Sequence, residues 1–177
     1  MKKPSVTMLI DLLAKPALID WANKQGLLGV DIKDLRKKAK SSGTSMHSQI
    51  ERYCNGTGEF EREIDRNSFE NFMQGKVVRS MECNVENEWF IGRYDAEILV
   101  DDEIYIVDYK TGFKGTVYLE HKLQLIAYTM CVPAQMAIVA VPAFHLVPVV
   151  IEDRKPYEEM LKCLSAIWQL KRDIELK

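Results

Sequence analysis

The sequence feature that most constrains the fold is a short apolar run near the middle of the chain, IYIVDYKTG. Its first part, Ile104 to Tyr109, is rich in β-branched and aromatic residues and lies between Asp101-Asp102 and Thr111-Gly112, which predicts a β-strand. Residues i and i+2 of a strand share a face. We therefore expect Asp108 and Lys110 to project from one face, with Val107 and Tyr109 on the other.

The preceding run, Phe90 to Val100, predicts a partner strand, and the short polar link at Asp101-Asp102 is typical of a hairpin. This pairing is expected to bring Asp95 close to Asp108. Two carboxylates beside a lysine suit a hard divalent cation with an ammonium group next to it. The alternative is a surface hairpin with an Asp–Lys ion pair, which is common and contributes little stability.

Length and composition indicate one globular domain. The chain has 177 residues, of which 47% are hydrophobic and 28% charged, as is usual for soluble globular proteins. The formal net charge of −2 provides no strong overall field for nucleic acid. Any contact with DNA is therefore expected to come from local basic patches.

Targeting and cysteine patterns point to a cytoplasmic protein without an iron–sulfur cluster. The N-terminal apolar segment is interrupted by Asp11, lacks a small-residue cleavage pattern, and no run reaches membrane-spanning length. The four cysteines are widely scattered, with no C-x-x-C pair. Buried free thiols are the expected state.

The first 75 residues predict mainly helices. An apolar pattern from Pro4 to Gly29 is interrupted at Pro16. A basic segment follows and leads into the serine- and glycine-rich stretch 41–45. This stretch predicts a helix N-terminus at about Ser45. Free backbone N–H groups at a helix N-terminus favour phosphate. The residues that we expect to contact DNA are Lys33, Arg36, Lys37, Lys38, Lys40 and Ser45. A solvated lysine-rich helix face is the alternative.

Two candidate metal ligands lie upstream of the central hairpin. His47 is on the predicted helix from Ser45 to Cys54, beside its apolar face, where a histidine is either structural or a ligand. Glu82 lies in the predicted strand Lys76 to Val85, among apolar neighbours where a carboxylate is costly unless it is paired or metal-bound. A glutamate that faces water from an edge strand is the alternative.

The remaining elements complete an α/β pattern. A helix is predicted over 117–130, with Gln124 and Tyr128 on one stripe, and strands follow at 136–141 and 144–151, where Pro148 favours an edge position. The order of helices, three strands, helix, two strands, helix predicts one α/β domain over 1–177 with a mixed β-sheet flanked by helices. Within it, residues 1–75 are mainly helical, 76–151 form the sheet with the inserted helix, and 156–175 form a C-terminal helix.

Five ordered motifs resemble the PD-(D/E)xK nuclease superfamily and, within it, the RecB-like and phage-type exonuclease branch. They are GTSMHSQIERY, the Glu82 strand, GRYDAEI, IVDYKTG and QLIAY, together with an opening segment similar to that of phage-encoded members. The resemblance spans about Pro4 to Tyr128. It implies a restriction-endonuclease-like fold.

The resemblance also implies roles for individual residues. Asp95 and Asp108 would bind Mg²⁺, or Mn²⁺ as a substitute, with His47, Glu82 and the backbone carbonyl of Tyr109 completing or extending the metal site. Lys110 would position or deprotonate the attacking water. Gln124 and Tyr128 would orient that lysine and contact DNA.

The expected function is therefore a metal-dependent deoxyribonuclease, an exonuclease acting in recombination, repair or phage DNA processing in a bacterial or phage-infected cell. Its partners would be linear duplex or single-stranded DNA and a recombination or replication protein, with no membrane; the sequence indicates no oligomeric state. Two alternatives stay open: a structure-selective or single-strand endonuclease on the same site, and a DNA-binding module that has lost catalysis.

Overall fold

A computed structural model describes residues 2–175, except for the side chains of Pro16, Ala17, Arg36, Lys38, Ala39, Lys40, Gly43 and Thr44. The helices are α1 (Val6–Ile10), α2 (Pro16–Leu27), α3 (Ile32–Cys54), α4 (Glu63–Met73), α5 (Leu119–Thr129) and α6 (Lys155–Glu175). The strands are β1 (Lys76–Glu86), β2 (Ile91–Val100), β3 (Glu103–Thr111), β4 (Gln135–Val141) and β5 (His145–Pro148). This element order is the one expected from the sequence.

The five strands form one mixed sheet in the order β1-β2-β3-β4-β5. β1, β2 and β3 pair antiparallel, β3 and β4 pair parallel, and β4 and β5 pair antiparallel. A parallel pair needs a long crossover connection, which α5 provides. The predicted α/β fold, a mixed sheet flanked by helices, is confirmed and is consistent with a restriction-endonuclease-like arrangement.

The turn between β2 and β3 has the expected hairpin chemistry. Asp101 and Asp102 both adopt left-handed backbone angles, with φ of 47° and 64°. A two-residue turn with positive φ at both positions matches the twist of the flanking strands. Val100 pairs with Glu103 next to this turn, and the register continues to Ala96 opposite Val107.

The sheet separates two apolar cores. On one face Ile106 and Ile138 pack against α1, α5 and α6; on the other, Val107, Tyr109 and Val139 pack against α3 and α4. This alternation along β3 confirms that Val107 and Tyr109 share a face opposite that of Ile106. Asp108 and Lys110 follow Ile106 at intervals of two and therefore project toward α5.

The predicted helix N-terminus at Ser45 is wrong, because α3 is one continuous helix of 23 residues. It begins after Asp31, whose side chain accepts a hydrogen bond from the Lys33 backbone N–H at 2.7 Å. A helical glycine costs about 1 kcal/mol, so Gly43 does not end a helix whose C-terminal half is held in the core by Met46 and Ile50. The basic segment and the histidine helix are therefore parts of one element.

The chain ends differ from the prediction only in detail. The N-terminal pattern forms two helices separated before Pro16, and β5 is shorter than predicted, with Pro148 at the end of an edge strand. None of the helices within residues 2–175 combines the length and hydropathy needed to cross a bilayer.

Gly92 provides a test of the packing between β2 and α5. A Cβ at this position would lie 2.9 Å from Tyr128 Cε1 and 3.1 Å from Val6 Cγ2. We expect Gly92→Ala to lower the free energy of unfolding by about 1 to 3 kcal/mol, the usual cost of overpacking, in urea denaturation. Gly26→Ala is the control, since nothing lies within 4 Å of its added Cβ and alanine favours helix. Equal stability of both variants would contradict this packing.

Candidate metal centre

The candidate site begins where β2 and β3 separate. The backbone ladder ends at Ala96 and Val107, and the Asp95 side chain then accepts a hydrogen bond from the Tyr109 backbone N–H at 2.7 Å. His47 Nε2 donates to the Tyr109 carbonyl at 2.9 Å. Two side chains thus satisfy backbone groups that a strand would otherwise pair, and they hold Tyr109 between β2 and α3.

Glu82 joins this group from β1. Met81 pairs with Ala96 and Cys83 with Tyr94, a register that sets Glu82 opposite Asp95. The Glu82 backbone has φ of 51°, in the left-handed region that costs a non-glycine residue about 1 to 2 kcal/mol. Strain of this kind is concentrated at functional sites.

His47, Glu82 and Asp95 form a cluster that can hold a cation. One potential ligand atom from each residue lies within 4.8 Å of the other two, and His47 Nδ1 is 3.5 Å from Asp95 Oδ1. All three side chains are partly buried. These are three of the five residues that the sequence proposed as metal ligands; the fourth, Tyr109, presents its carbonyl at the edge of the cluster.

The charges of the cluster alter its protonation. Burial lowers the pKa of His47, but the hydrogen bond and the negative charge of Asp95 outweigh burial, so its pKa is raised. Burial and the Asp95 charge raise the pKa of Glu82, against the opposing charge of Arg93. The negative charge of Asp95 contributes to both shifts, and a bound cation relieves such crowding of negative charge.

Asp108, the fifth proposed ligand, is buried and paired with Lys110. Its Oδ2 atom lies 2.7 Å from Lys110 Nζ, but the contact lacks hydrogen-bond geometry, so this oxygen accepts no hydrogen bond from the residues that the structure describes. Burial raises the pKa of Asp108 to about 6, although the Lys110 charge opposes the shift and the Asp95 charge adds to it. The Asp95 side chain accepts from the backbone N–H of Tyr109, the residue after Asp108, which agrees with the predicted proximity of Asp95 and Asp108.

A relay of hydrogen bonds from α5 orients the lysine. Lys110 Nζ donates to Gln124 Oε1 at 3.2 Å, and Gln124 Nε2 donates to the Tyr128 hydroxyl at 3.0 Å. Gln124 and Tyr128 are four residues apart and therefore lie on one side of α5. The space above Gly92 admits the Tyr128 ring, so β2 and α5 together fix the position of the lysine.

The cluster opens into a cleft of about 1050 Å³. His47, Glu82, Asp95, Gln124 and Tyr128 all line it. Other residues that line it, and that the sequence did not propose as site residues, include Ser5, Thr7, Ser48, Glu51, Asn84 and Arg93.

Two of the cleft-lining residues that the sequence analysis missed, Arg93 and Asn84, could have been found from their spacing. Arg93 lies two residues before Asp95, and Asn84 two residues after Glu82, so the period of a strand places each pair on one face. Ser5 and Thr7 carried no such signal, because only the tertiary structure brings α1 against the end of β2. The isolated bridge between Ser5 and Ile91 marks that contact.

The proposed DNA-contacting residues are divided by the structure. Lys33 and Lys37 are exposed on α3, and the side chains of Arg36, Lys38 and Lys40 lie outside the described residues. Ser45 is inside the helix, where its hydroxyl accepts from Gln49 at 2.9 Å and lies 3.5 Å from Glu61. A neighbouring carboxylate and an internal backbone N–H make Ser45 a poor phosphate ligand.

The donor set fits a divalent cation. It consists of the carboxylates of Glu82 and Asp95 and the imidazole of His47, whose ligand atoms lie within 4.8 Å of one another. Asp108 is not part of this group, although its buried Oδ2 lacks a hydrogen-bond donor among the described residues, and the Tyr109 carbonyl accepts from His47. Carboxylate and carbonyl oxygens suit Mg²⁺ and Mn²⁺, whereas imidazole is a common ligand of transition metals.

Comparisons with known proteins identify no family. No protein-family model matches the chain, and no curated protein sequence matches it. Solved structures do match, 22 chains in all; one is the crystal structure of SSO0001, which is 17% identical, with a TM-score of 0.47 over 93% of this chain and 76% of that chain. Similarity at this level indicates no function.

Asp108→Asn tests the cost of burying this carboxylate without a metal. An aspartate releases its proton at about pH 4 in an unfolded chain, whereas Asp108 in the folded chain has a pKa of about 6. Between these values the folded state binds more protons, so stability falls as pH rises, by about 3 kcal/mol in total. In EDTA, urea denaturation should find the variant more stable than wild type at about pH 7.5 and similar to it at about pH 4.

Asp65→Asn is the matched control. Asp65 is also buried, but two hydrogen bonds from Arg62, at 2.6 and 2.7 Å, satisfy its carboxylate. Its substitution should lower stability at neutral pH, since it weakens a charge-assisted pair. A difference between wild type and Asp108→Asn that does not change with pH would contradict the assigned cost.

Proposed function

We propose that this protein is a metal-dependent deoxyribonuclease of the PD-(D/E)xK type that hydrolyses DNA phosphodiester bonds. The observation that carries the proposal is the convergence of separate elements on one cleft. α3 supplies His47, β1 supplies Glu82 and β2 supplies Asp95, all of which line the cleft. β3 supplies the Asp108–Lys110 pair, which does not line the cleft but is joined to it by the hydrogen bond from Lys110 to the lining residue Gln124. The alternative for the hairpin residues is a surface ion pair. Asp108 is buried, and a surface ion pair does not account for that burial.

His47, Glu82, Asp95, Asp108 and the Tyr109 carbonyl are the groups that would hold Mg²⁺ or Mn²⁺. A bound divalent cation would supply charge neutralisation at the phosphate oxygens and a more acidic water. The protein contributes a preset geometry: Asp95 and His47 are positioned by the Tyr109 backbone, so little rearrangement is needed to place their remaining lone pairs. The mixed imidazole and carboxylate donors favour Mn²⁺ at least as strongly as Mg²⁺.

Lys110 is the group to which we assign the positioning or deprotonation of the attacking water. Its ammonium lies between a buried carboxylate, Asp108, and the amide oxygen of Gln124. These contacts fix the position of Nζ on the side of β3 that faces α5. A lysine held in this way can give and accept a proton without searching rotamers, which is the advantage of orientation in general acid–base catalysis.

DNA is the substrate that the chemistry and the resemblance favour, and we propose an exonuclease. The anionic phosphodiester would enter the cleft beside the cation site, with Lys33 and Lys37 available for contacts to the backbone farther along α3. End-dependent and internal cleavage use the same chemistry and differ in how DNA reaches the site. A structure-selective endonuclease is therefore an outcome of the test below.

The test is cleavage of end-labelled linear duplex, linear single strand and closed circular DNA in Mg²⁺, Mn²⁺ or EDTA. We expect metal-dependent degradation of linear DNA by wild type. Lys110→Ala should lower it by at least about 100-fold, the range for groups acting directly in proton transfer, and Asp108→Ala should cause a comparable loss because it removes a proposed metal ligand. Asp65→Asn, corrected for its folded fraction, is the control, because Asp65 is a buried aspartate that pairs with Arg62 and not with Lys110.

Cleavage of circles would identify an endonuclease on the same site. No cleavage of any substrate in either metal, by protein that is folded and binds DNA, would refute the proposed activity. A catalytically silent DNA-binding module would then be the better description.

The α5 relay predicts a separate effect on catalysis. Gln124→Met removes the acceptor of Lys110, and Tyr128→Phe removes the hydroxyl that holds Gln124. We expect kcat to fall by about tenfold for Gln124→Met and less for Tyr128→Phe, because the lysine keeps its charge but loses orientation. Steady-state cleavage of a labelled duplex gives kcat and KM, and KM should change little. A fall confined to KM would show that these residues bind DNA and do not position the lysine.

A further inference from the structure

The cleft carries a charge balance that is unfavourable for DNA. Among the described residues that line it, Glu51, Glu82, Glu86 and Asp95 are acidic, whereas His47 and Arg93 are basic. A phosphodiester that enters meets mainly like charge, which opposes binding. Arg93 is the one arginine among these described lining residues, so its position decides where an anion can be accepted.

Arg93 extends from β2 beside the cation cluster. It lies two residues before Asp95, and its side chain is 61% exposed. Its Nε atom is 2.8 Å from Glu82 Oε2. The same carboxylate belongs to the group of three residues that can hold a metal ion. Arg93 and a cation therefore compete for Glu82.

We propose that Arg93 is a phosphate-binding residue whose guanidinium is held by Glu82 in the metal-free protein and is released to a DNA phosphodiester once Glu82 serves as a metal ligand. This inference rests on the proposed function, because it assumes that DNA and a divalent cation occupy the cleft together. It assigns to the Glu82–Arg93 pair the role of coupling the two binding events.

The coupling follows from charge and geometry. A carboxylate that ligates a divalent cation has much of its negative charge neutralised, so its attraction for a guanidinium falls. A guanidinium has five N–H donors in a planar fork that matches phosphate oxygens. Arg93 is largely exposed and can turn toward the cleft without unpacking the core. By linkage, the factor by which a bound cation strengthens phosphate binding at Arg93 equals the factor by which bound phosphate strengthens cation binding at Glu82.

The test measures DNA binding without cleavage. All proteins carry Lys110→Ala, so that the labelled DNA stays intact, and binding of a fluorescein-labelled duplex is followed by fluorescence anisotropy in Mg²⁺ and in EDTA. In Mg²⁺ we expect Arg93→Ala to weaken binding by about tenfold, as for loss of a charge-assisted hydrogen bond. In EDTA the same substitution should have a much smaller effect, because Glu82 already occupies the guanidinium.

Glu82→Gln tests the restraint directly. It should strengthen DNA binding in EDTA by several-fold, since Arg93 is freed without a metal, and this gain should disappear in the double variant with Arg93→Ala. Glu51→Gln removes the same charge from the same cleft and is the matched control; its gain should not depend on Arg93. This double-mutant cycle separates the specific pair from general charge removal.

Two further variants control for the arginine. Arg79 pairs with Glu97 at 3.3 Å on the same two strands and is not among the cleft-lining residues, so Arg79→Ala should change DNA binding far less than Arg93→Ala. Arg93→Lys keeps the charge and should recover only part of the affinity, because lysine lacks the planar fork. Thermal unfolding of each variant confirms that the proteins compared are folded.

Two results would overturn the inference. One is that Arg93→Ala and Arg79→Ala weaken DNA binding equally in Mg²⁺. The other is that Glu82→Gln and Glu51→Gln strengthen DNA binding equally in EDTA, whether or not Arg93 is present. Those results together with metal-dependent cleavage by wild type would leave the proposed nuclease intact. Conversely, the predicted coupling in a wild-type protein that cleaves nothing would refute the nuclease and retain Arg93 as a phosphate-binding residue.

Discussion

The site depends on how the backbone of Tyr109 is held where β2 and β3 separate. The Asp95 carboxylate accepts its N–H and the His47 imidazole contacts its carbonyl, at 2.7 and 2.9 Å. Both backbone groups would be costly if left unpaired beside the buried core. The same bonds that satisfy the strand therefore also fix two candidate metal ligands and join α3 to the sheet. Loss of either side chain would affect the position of the other through the strand between them.

The structure carries two unfavourable features in and beside this cluster. Asp108 is a buried carboxylate whose pKa is raised to about 6 because burial outweighs the charge of Lys110. Glu82 has a left-handed backbone with φ of 51° in the middle of a strand. A divalent cation would offset the cost of both, since it stabilises the ionised form of each carboxylate.

The candidate site combines a rigid part and an adjustable part. Lys110 is held by the buried Asp108 and by a relay through Gln124 and Tyr128, against a glycine at 92 that leaves room for the tyrosine ring. Arg93, by contrast, is mostly exposed, and its ion-pair partner among the residues that the structure describes is Glu82. A catalytic group benefits from fixed orientation, whereas a substrate-binding group can exchange partners. Lys110 on β3 therefore suits a catalytic role, and Arg93 on β2 suits a role in substrate binding.

The sequence by itself determined the order of the elements, the hairpin at Asp101-Asp102 and the shared face of Asp108 and Lys110, because these follow from local turn chemistry and from the period of a strand. It did not determine that α3 is continuous through Gly43, since a local helix-breaking cost of about 1 kcal/mol is outweighed by core packing at Met46 and Ile50. Nor did it determine the meeting of His47 with Tyr109, or of Arg93 with Glu82, which come from different elements. Such contacts depend on register and on helix docking, and these are set by burial of apolar surface across the whole sheet.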